Sequence, residues 1–440
     1  MPLFGRKRKD EPEFVAEPPA PLAEPPQVDE NGLRSMADHR DYLLSQVEEL
    51  PPFGQQLLDA VGLSLCEDIV TTISLPGFDN SAMDGYAVMA EDVAAASEDR
   101  PVTLPVVGEV AAGQAAQHPL SPGTAMKIMT GAPLPEQADA VVPYENTDRG
   151  ADDVRVFEPS DRGRHIRRTG EDVSAGELVL AAGDRLDARR IGLLAAIGKD
   201  KVLVRPRPRV VVLATGSELV DPGLDLPSEQ HIYDSNSFLL AAAAKAAGAQ
   251  VFRVGLVGDD PDQVRQVISD QLIRADLLLT SGGVSQGDHD VVKQVMPELG
   301  SCDFAAVAMQ PGKPQGFGLI GDDRTPMIMV PGNPVSAFVS FETFVRPVIR
   351  KLMGVTPYTR PVLRCRAAKA IHGSFGRMNF ARGVVSVDAD GGYQVELAGG
   401  HGSHLIGDLS RANALVIIPR EVEEIPAGHE VDVWLLDDDQ

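Results

Sequence analysis

The stretch from Leu277 to Phe344 carries three turn signatures in succession: TSGGVSQGDHD (280–290), MQPGKPQGFG (309–318) and VPGNPVSAF (330–338). The first and third follow apolar, strand-like runs, Leu277-Leu278-Leu279 and Met327-Ile328-Met329-Val330, and lead towards expected helices. A glycine-rich bend between a strand and a helix turns free backbone N–H groups outward, an arrangement that binds phosphates and other oxyanions. The stretch thus reads as an anion site, in a chain whose net charge is -24.

The pattern of strand and helix extends outward from it. Val210–Leu213 is a buried-strand run followed by ATGSEL. Ser235 or Asn236 is placed to cap a helix over Phe238–Ala247, closed by Gly248. VFRVGLVG reads as a strand, Asp260-Pro261 as a helix start and DLLLTSGG as the next strand. Strands alternating with helices imply a parallel sheet covered on both faces, so residues 209–356 are expected to form a doubly wound α/β domain.

Before it, residues 62–207 hold short strands and many turns, with a short helix near Arg189–Ile197 and a hinge at Val202–Pro208. A helix is expected across Met36–Val61, broken at Pro51-Pro52. Residues 1–31 are rich in Pro, Glu and Ala behind a basic patch at Arg6–Lys9 and read as a disordered tail. Beyond Tyr358 strands return over 357–440, as in a small β-barrel.

Bulk properties narrow the function. The apolar share, 43%, suffices for real cores. Three cysteines, Cys66, Cys302 and Cys365, stand far apart without CxxC spacing, which argues against a zinc site or disulfide scaffold and for a reducing compartment. No apolar run has the length of a membrane span, and no hydrophobic segment follows the basic N-terminal patch. So acidic a chain is not expected to bind nucleic acid through its general surface, and binding an anionic substrate requires local cations, a divalent metal, or both.

Three loops fall at the carboxyl ends of expected strands, where open α/β sheets bind ligands: Thr215-Gly216-Ser217-Glu218, Ser281-Gly282-Gly283-Val284-Ser285 and Pro331-Gly332-Asn333-Pro334-Val335-Ser336. Gly282 and Gly287 have the GxxxxG spacing of a P-loop, but Asp288 stands where that motif needs lysine, and no GxGxxG follows a strand. An ordinary ATPase and a dinucleotide enzyme are therefore unsupported. Asp288 and Asp290, joined by Glu218 and Asp259, suit a magnesium bridge to phosphate oxygens. In the β-rich part, Asp79 and Asp84 lie five apart among small residues, Thr130-Gly131-Ala132-Pro133 is a turn with a polar face, and Arg162, Arg164, His165, Arg167 and Arg168 form a positive cluster suited to phosphate.

Taken in order, the tracts FDNSAMDGYAV, KIMTGAPLPE, RRTGEDV, ATGSELV, YDSN, SGGVSQGDHD, PGKPQGFG, PGNPVSAF and GHGSH resemble the molybdopterin molybdenumtransferase family over about residues 33–440. The resemblance implies an enzyme that takes adenylylated molybdopterin and molybdate, inserts the metal at the dithiolene with help from Mg2+, and releases AMP. It implies elongated N-terminal β-rich domains: a discontinuous one over 32–74 and 168–208, and an inserted β domain over 75–167. It also implies a cytoplasmic homodimer whose active site is shared between subunits, with a molybdopterin adenylyltransferase or molybdoenzyme apoproteins as further partners. Asp79, Thr130, Asp172, Glu218, Asp259, Asp290, Lys313, Arg377 and Ser403 fall on the family's functional positions, Glu218, Asp259 and Asp290 towards the metal. Many members carry lysines where this chain has Ala306 and Gln310. The alternatives are a gephyrin-like scaffold, a nucleotide pyrophosphatase and a molybdopterin adenylyltransferase, the last of which would not need FDNSAMDGYAV, RRTGEDV or the C-terminal β domain.

Overall fold

A computed structural model describes residues 21–284 and 290–436. Its contacts divide the chain into two units, Phe53–Val204 in one and the residues on either side of that span in the other.

The flanking unit is built on a six-stranded sheet, its elements numbered here in chain order: β1 Arg209–Ala214, α1 Asn236–Ala246, β2 Gln250–Arg253, α2 Pro261–Leu272, β3 Leu277–Ser281, α3 Val291–Leu299, β4 Gly300–Ala306, β5 Pro314–Ile320, β6 Thr325–Val330 and α4 Pro334–Ser340. The strand order is β2-β1-β3-β6-β5-β4. The first four are parallel, as the alternation of strand and helix requires. β5 alone runs the other way, antiparallel to both β6 and β4, a correction to the all-parallel expectation. Its cause is visible in the chain: β5 is joined to β4 by the short segment 307–313 and to β6 by the tight turn at Gly321, both too short for a crossover helix.

Unalternated apolar runs become central strands buried on both sides. Val211 and Leu213 of β1 join Leu278 of β3, Met327 and Met329 of β6, and Val264, Ile268, Val292 and Val295 of α2 and α3 in one core. On the other side α1 packs on β1 and on α4. The ends of α2 follow the sequence: Asp260 accepts the N–H of Gln263 at 2.9 Å and Pro261 occupies the first turn.

The helix expected to reach Pro51 ends at Ser45 instead. Val47 is buried without helical backbone, and the Leu50 N–H donates to Leu352 O at 2.9 Å, so a tertiary hydrogen bond replaces the last helical turns. The helix Met36–Ser45 packs on Arg346–Leu352, and Arg34 pairs with Asp303 at 2.6 Å. Residues 21–31 of the expected tail are likewise attached: the Ala23 N–H donates to Gln46 Oε1 and Asp29 Oδ1 accepts from the N–H groups of Asn31 and Leu33. The strand expected over VFRVGLVG covers only Gln250–Arg253.

Residues 362–435 form a closed five-stranded barrel. Met378–Val387 pairs with both Tyr393–Leu397 and Ala414–Ile418, and Val362–Ala367 and Glu430–Leu435 complete the ring. Closure leaves no unpaired edge among these strands and encloses Cys365, Val395, Val416 and Val433. Arg360, at the barrel's entry, donates to Glu342 Oε2 at 2.6 Å and to Leu435 O at 2.9 Å, with both charged side chains nearly inaccessible.

The Phe53–Val204 unit is β-rich, as expected. Its main sheet runs Ala140–Pro143, Gly85–Val88, Ala125–Ile128, Val102–Val110, Asp153–Val156. Two-stranded ladders join Phe53–Gln56 to Lys201–Val204, Ile69–Val70 to Leu178–Leu180 and Asn80–Ser81 to Ile166–Arg167. Among the described residues no helix is long and apolar enough to cross a membrane.

Removing one partner of a buried ion pair strands the other charge. Arg360→Met is expected to lower stability by about 3 kcal/mol, read as a reduced urea midpoint, with Glu342→Leu/Arg360→Met recovering most of it. A midpoint unchanged in the single variant would show that Glu342 is already neutralised elsewhere.

Candidate functional site

The carboxyl edge of the parallel strands gathers the three loops. Beyond β1, Gly216 has φ +148°, and a side chain there would meet the Glu218 carboxylate at 2.6 Å. Beyond β3, Gly282 and Gly283 have φ +91° and +85°, and a Cβ on Gly283 would lie 2.7 Å from that of Val292. A Cβ on Gly282 would touch Thr215 O at 3.9 Å, and one on Gly332 would touch Gly282 Cα at 3.9 Å, so all three loops come within van der Waals reach of one another. Gly216 and Gly283 are required by this crowding and by positive φ, and Gly282 by its φ alone.

Asn236 ties two of these loops together. Its Nδ2 donates to Ser281 Oγ at 2.7 Å and to Gly332 O at 2.6 Å. The sequence pointed to this residue as a possible helix cap and as the end of the YDSN tract; it is the first residue of α1, and Ser235 holds the cap position. Asn333 extends the chain of contacts: its Nδ2 donates to Ser403 Oγ at 3.0 Å, and the Val335 N–H donates to Ser403 O at 3.0 Å. GHGSH of the barrel is thereby fixed against PGNP of the α/β domain.

Beside these loops opens a cleft of about 670 Å³. Gly282, Gly283, Pro331, Gly332 and Asn333 form one part of its wall, and Ala306 of β4, Pro314 of β5 and Lys313 from the turn between them another. Lys293 also lines it, a residue the sequence did not single out although it stands three places after Asp290. Pro331 thus lines the cleft as its loop position implied, whereas Ser336 is buried inside α4, off the wall. Arg377 sits before the barrel strand Met378–Val387 with its carbonyl accepting from Asn379 Nδ2 at 2.7 Å, and is not in the wall. Gln310 is paired in register with Asn379, so of the two replaced lysines only Ala306 faces the cleft. Ser285 and Asp288 lie outside the described residues.

The three acids stand on separate loops. Asp259 Oδ2 accepts the Ser217 N–H at 3.0 Å, Glu218 folds over Gly216, and Asp290 precedes α3 with its Oδ1 beside Gly283. Among the described residues no three His, Cys, Asp or Glu side chains are grouped closely enough to hold a metal between them, so Glu218, Asp259 and Asp290 do not form a ready-made cage.

The Phe53–Val204 unit brings its own three tracts together. Asp79 accepts from Arg168 Nη1 at 2.6 Å and from the Thr169 N–H at 2.8 Å, while its carbonyl accepts the Leu134 N–H. The Thr169 N–H foremost, then the Arg168 guanidinium, hold the Asp79 carboxyl below its ordinary range. Asp84 accepts the Thr130 N–H at 2.7 Å, and that bond lowers its carboxyl too. The Gly131 N–H donates to Ser81 O at 2.8 Å, which closes TGAP onto FDNSAMDGYAV. Gly85 is required here, because a Cβ would lie 2.0 Å from Val142 O. Asp172 is exposed, and its N–H donates to Leu75 O. The arginine cluster divides: Arg162 is paired with Asp139 at 2.7 Å and Arg168 with Asp79, whereas Arg164 and Arg167 are exposed and have no carboxylate partner among the described residues.

Family models match three consecutive spans: "MoeA N-terminal region (domain I and II)" over residues 34–198, "Probable molybdopterin binding domain" over 211–351 and "MoeA C-terminal region (domain IV)" over 364–436. Molybdopterin molybdenumtransferase 1 of Mycobacterium tuberculosis is 40% identical over 423 residues, covering 92% of this chain and 99% of that protein. Molybdopterin molybdenumtransferase 2 of the same organism is 43% identical over 411 residues, covering 91% and 99%. The crystal structure of a molybdopterin biosynthesis moeA protein from Pyrococcus horikoshii OT3 superposes with a TM-score of 0.76 at 30% identity, over 92% of this chain and all of that one. Three domain matches in order, relatives at this identity over nearly the whole length, and the shared fold place the chain in the molybdopterin molybdenumtransferase family.

Proposed function

We propose that this protein inserts molybdate into adenylylated molybdopterin with release of AMP, yielding molybdenum cofactor. The observation that carries the proposal is the glycine-walled cleft with Lys313 in its lining, fixed to the barrel through Asn333 and Ser403, in a chain whose relatives bear that transferase's name. The lack of side chains at Gly283 and Gly332 allows phosphate oxygens to approach the backbone, whereas the Gly282 N–H is taken by Val330 O at 2.9 Å. Lys313 offsets their charge, and Asn236 holds the two loops at a fixed separation.

Magnesium keeps several waters and takes one or two carboxylates together with substrate phosphate. The dispersed acids fit such a shared ion rather than an all-protein cage: Asp290, with Glu218 and Asp259 through water, would hold it, and it would neutralise charge developing on the phosphate oxygens as the adenylate bond breaks. The dithiolene sulfurs belong to the substrate, so no cysteine nucleophile is required; burial pushes the thiols of Cys302 and Cys365 upward, away from reactive thiolate.

In the same proposal the enzyme is a cytoplasmic homodimer, and its shared active site is completed by Asp79, Asp84, Thr130, Arg168 and Asp172 of a second copy. Asp79 and Asp84, both held ionised, present fixed negative charge, and Arg164 and Arg167 offer uncommitted cations. A molybdopterin adenylyltransferase and molybdoenzyme apoproteins are the partners on either side of the reaction. The chain has the β-rich unit and the barrel, which an adenylyltransferase would not need.

Incubation with adenylylated molybdopterin, Mg2+ and molybdate is expected to give molybdate-dependent AMP and active cofactor; AMP formation indifferent to molybdate would remove the proposal. Asp290→Ala should reduce kcat by at least about a hundredfold with the dimer intact by sedimentation, and normal turnover would refute its role with the metal. Asn236→Ala should raise KM several-fold while costing about 1–2 kcal/mol of stability. An unchanged KM would show that the loops keep their spacing without it.

A further inference from the structure

Lys293 combines three observations that an ordinary solvated helix lysine lacks. It lines the cleft together with Lys313. Its ammonium lies 5.5 Å from the centroid of the Phe304 ring, so the side chain lies back over β4. No carboxylate among the described residues is paired with it, in a chain with 64 acidic residues against 40 lysines and arginines. Phe304 is itself anchored: it packs on the core between sheet and helices, and its backbone is in register with Gly316 of β5.

A cation over an aromatic face gains roughly 0.5–1 kcal/mol at an exposed site. That is enough to favour one direction for a side chain with large rotamer entropy, and too little to neutralise its charge. A lysine so placed keeps its three donors for a ligand. Ala306 adds a steric argument. It stands two residues from Phe304 on the same face of β4 and lines the same cleft with only a methyl group. The space beside the Phe304–Lys293 pair is therefore open to a ligand.

We infer that Lys293 is an anion-binding residue of this cleft, which with Lys313 takes the phosphate of an adenylate, Phe304 serving as its platform. This rests on the adenylate chemistry proposed above, and it adds a second cation that neither the glycine loops nor the PGKP tract supplies.

Isothermal titration of the full-length protein with AMP, adenosine and inorganic pyrophosphate, each in Mg2+, tests it. Lys293→Met is expected to weaken AMP and pyrophosphate roughly tenfold and leave adenosine within about twofold. Lys293→Arg should stay close to wild type, and Ala306→Lys in the Lys293→Met background should restore much of the lost affinity, because the new ammonium enters the same space. Unchanged AMP and pyrophosphate binding in Lys293→Met, or an equal loss for adenosine, overturns the inference. Lys293-dependent pyrophosphate binding in a protein that ignores AMP would sustain Lys293 as an anion site and sink the adenylate reading. A wild-type protein that binds neither phosphate ligand overturns both.

Discussion

A strand buried on both faces can present chemistry only at its ends, and this constraint organises the unit built on the α/β sheet. β1, β3 and β6 are apolar almost throughout because helices cover them on each side. Polar function is displaced to the loops beyond their carboxyl ends. Because parallel strands share a direction, those loops meet. Their meeting then demands glycine at positions 216, 282 and 283, where φ is positive and a side chain would strike a neighbour or strain the backbone. The N–H groups of Gly216 and Gly282 are taken up inside the fold, by Val257 O and Val330 O, so the bend at Gly283 is what turns backbone towards an anion.

The sheet's antiparallel half has a consequence of its own. β4 and β5 lie beyond β6, and they and the turn between them carry Ala306, Lys313 and Pro314 to the cleft. A fully parallel sheet would have placed helix termini at that wall. The antiparallel pairing instead supplies a lysine on a short turn between β4 and β5, next to the half-buried Phe304 and Ala306 of β4.

What the sequence made legible follows from the range of each interaction. The strands, the Asp260-Pro261 helix start and the three glycine turns are local, set by residues a few positions apart, and were readable as such. Contacts between distant segments were not. Nothing near Leu50 announces that Leu352 O will take its N–H and end the preceding helix early. Asn236 looks like any helix-capping asparagine until Ser281 and Gly332 are seen on either side of it. The basic cluster at 162–168 read as one phosphate dock, yet Asp139 and Asp79 neutralise two of its members from 23 and 89 residues away. The hydrogen bond of Asp259 to the Ser217 N–H is likewise a contact between distant segments. Lys293 was obscured because its position on a helix is what any surface lysine shows; only the ring of Phe304, eleven residues on and across the helix-strand turn, distinguishes it.

A chain with net charge -24 meets an anionic substrate against its own field, which falls off over roughly 8–10 Å at physiological ionic strength. Within that distance, local arrangement outweighs the sum. Backbone N–H groups carry no counter-charge to be paired away, and a lysine on an aromatic ring keeps its charge without an acid beside it. Arginines in this chain are repeatedly matched to aspartates at 2.6–2.9 Å, as with Arg34, Arg162, Arg168 and Arg209. Lys293 and Lys313 escape that pairing among the described residues because the wall they occupy is glycine, proline, alanine and phenylalanine. The apolar lining is therefore part of the electrostatics: among the described residues it leaves the Lys293 and Lys313 ammonium groups without a carboxylate partner and so available to a ligand.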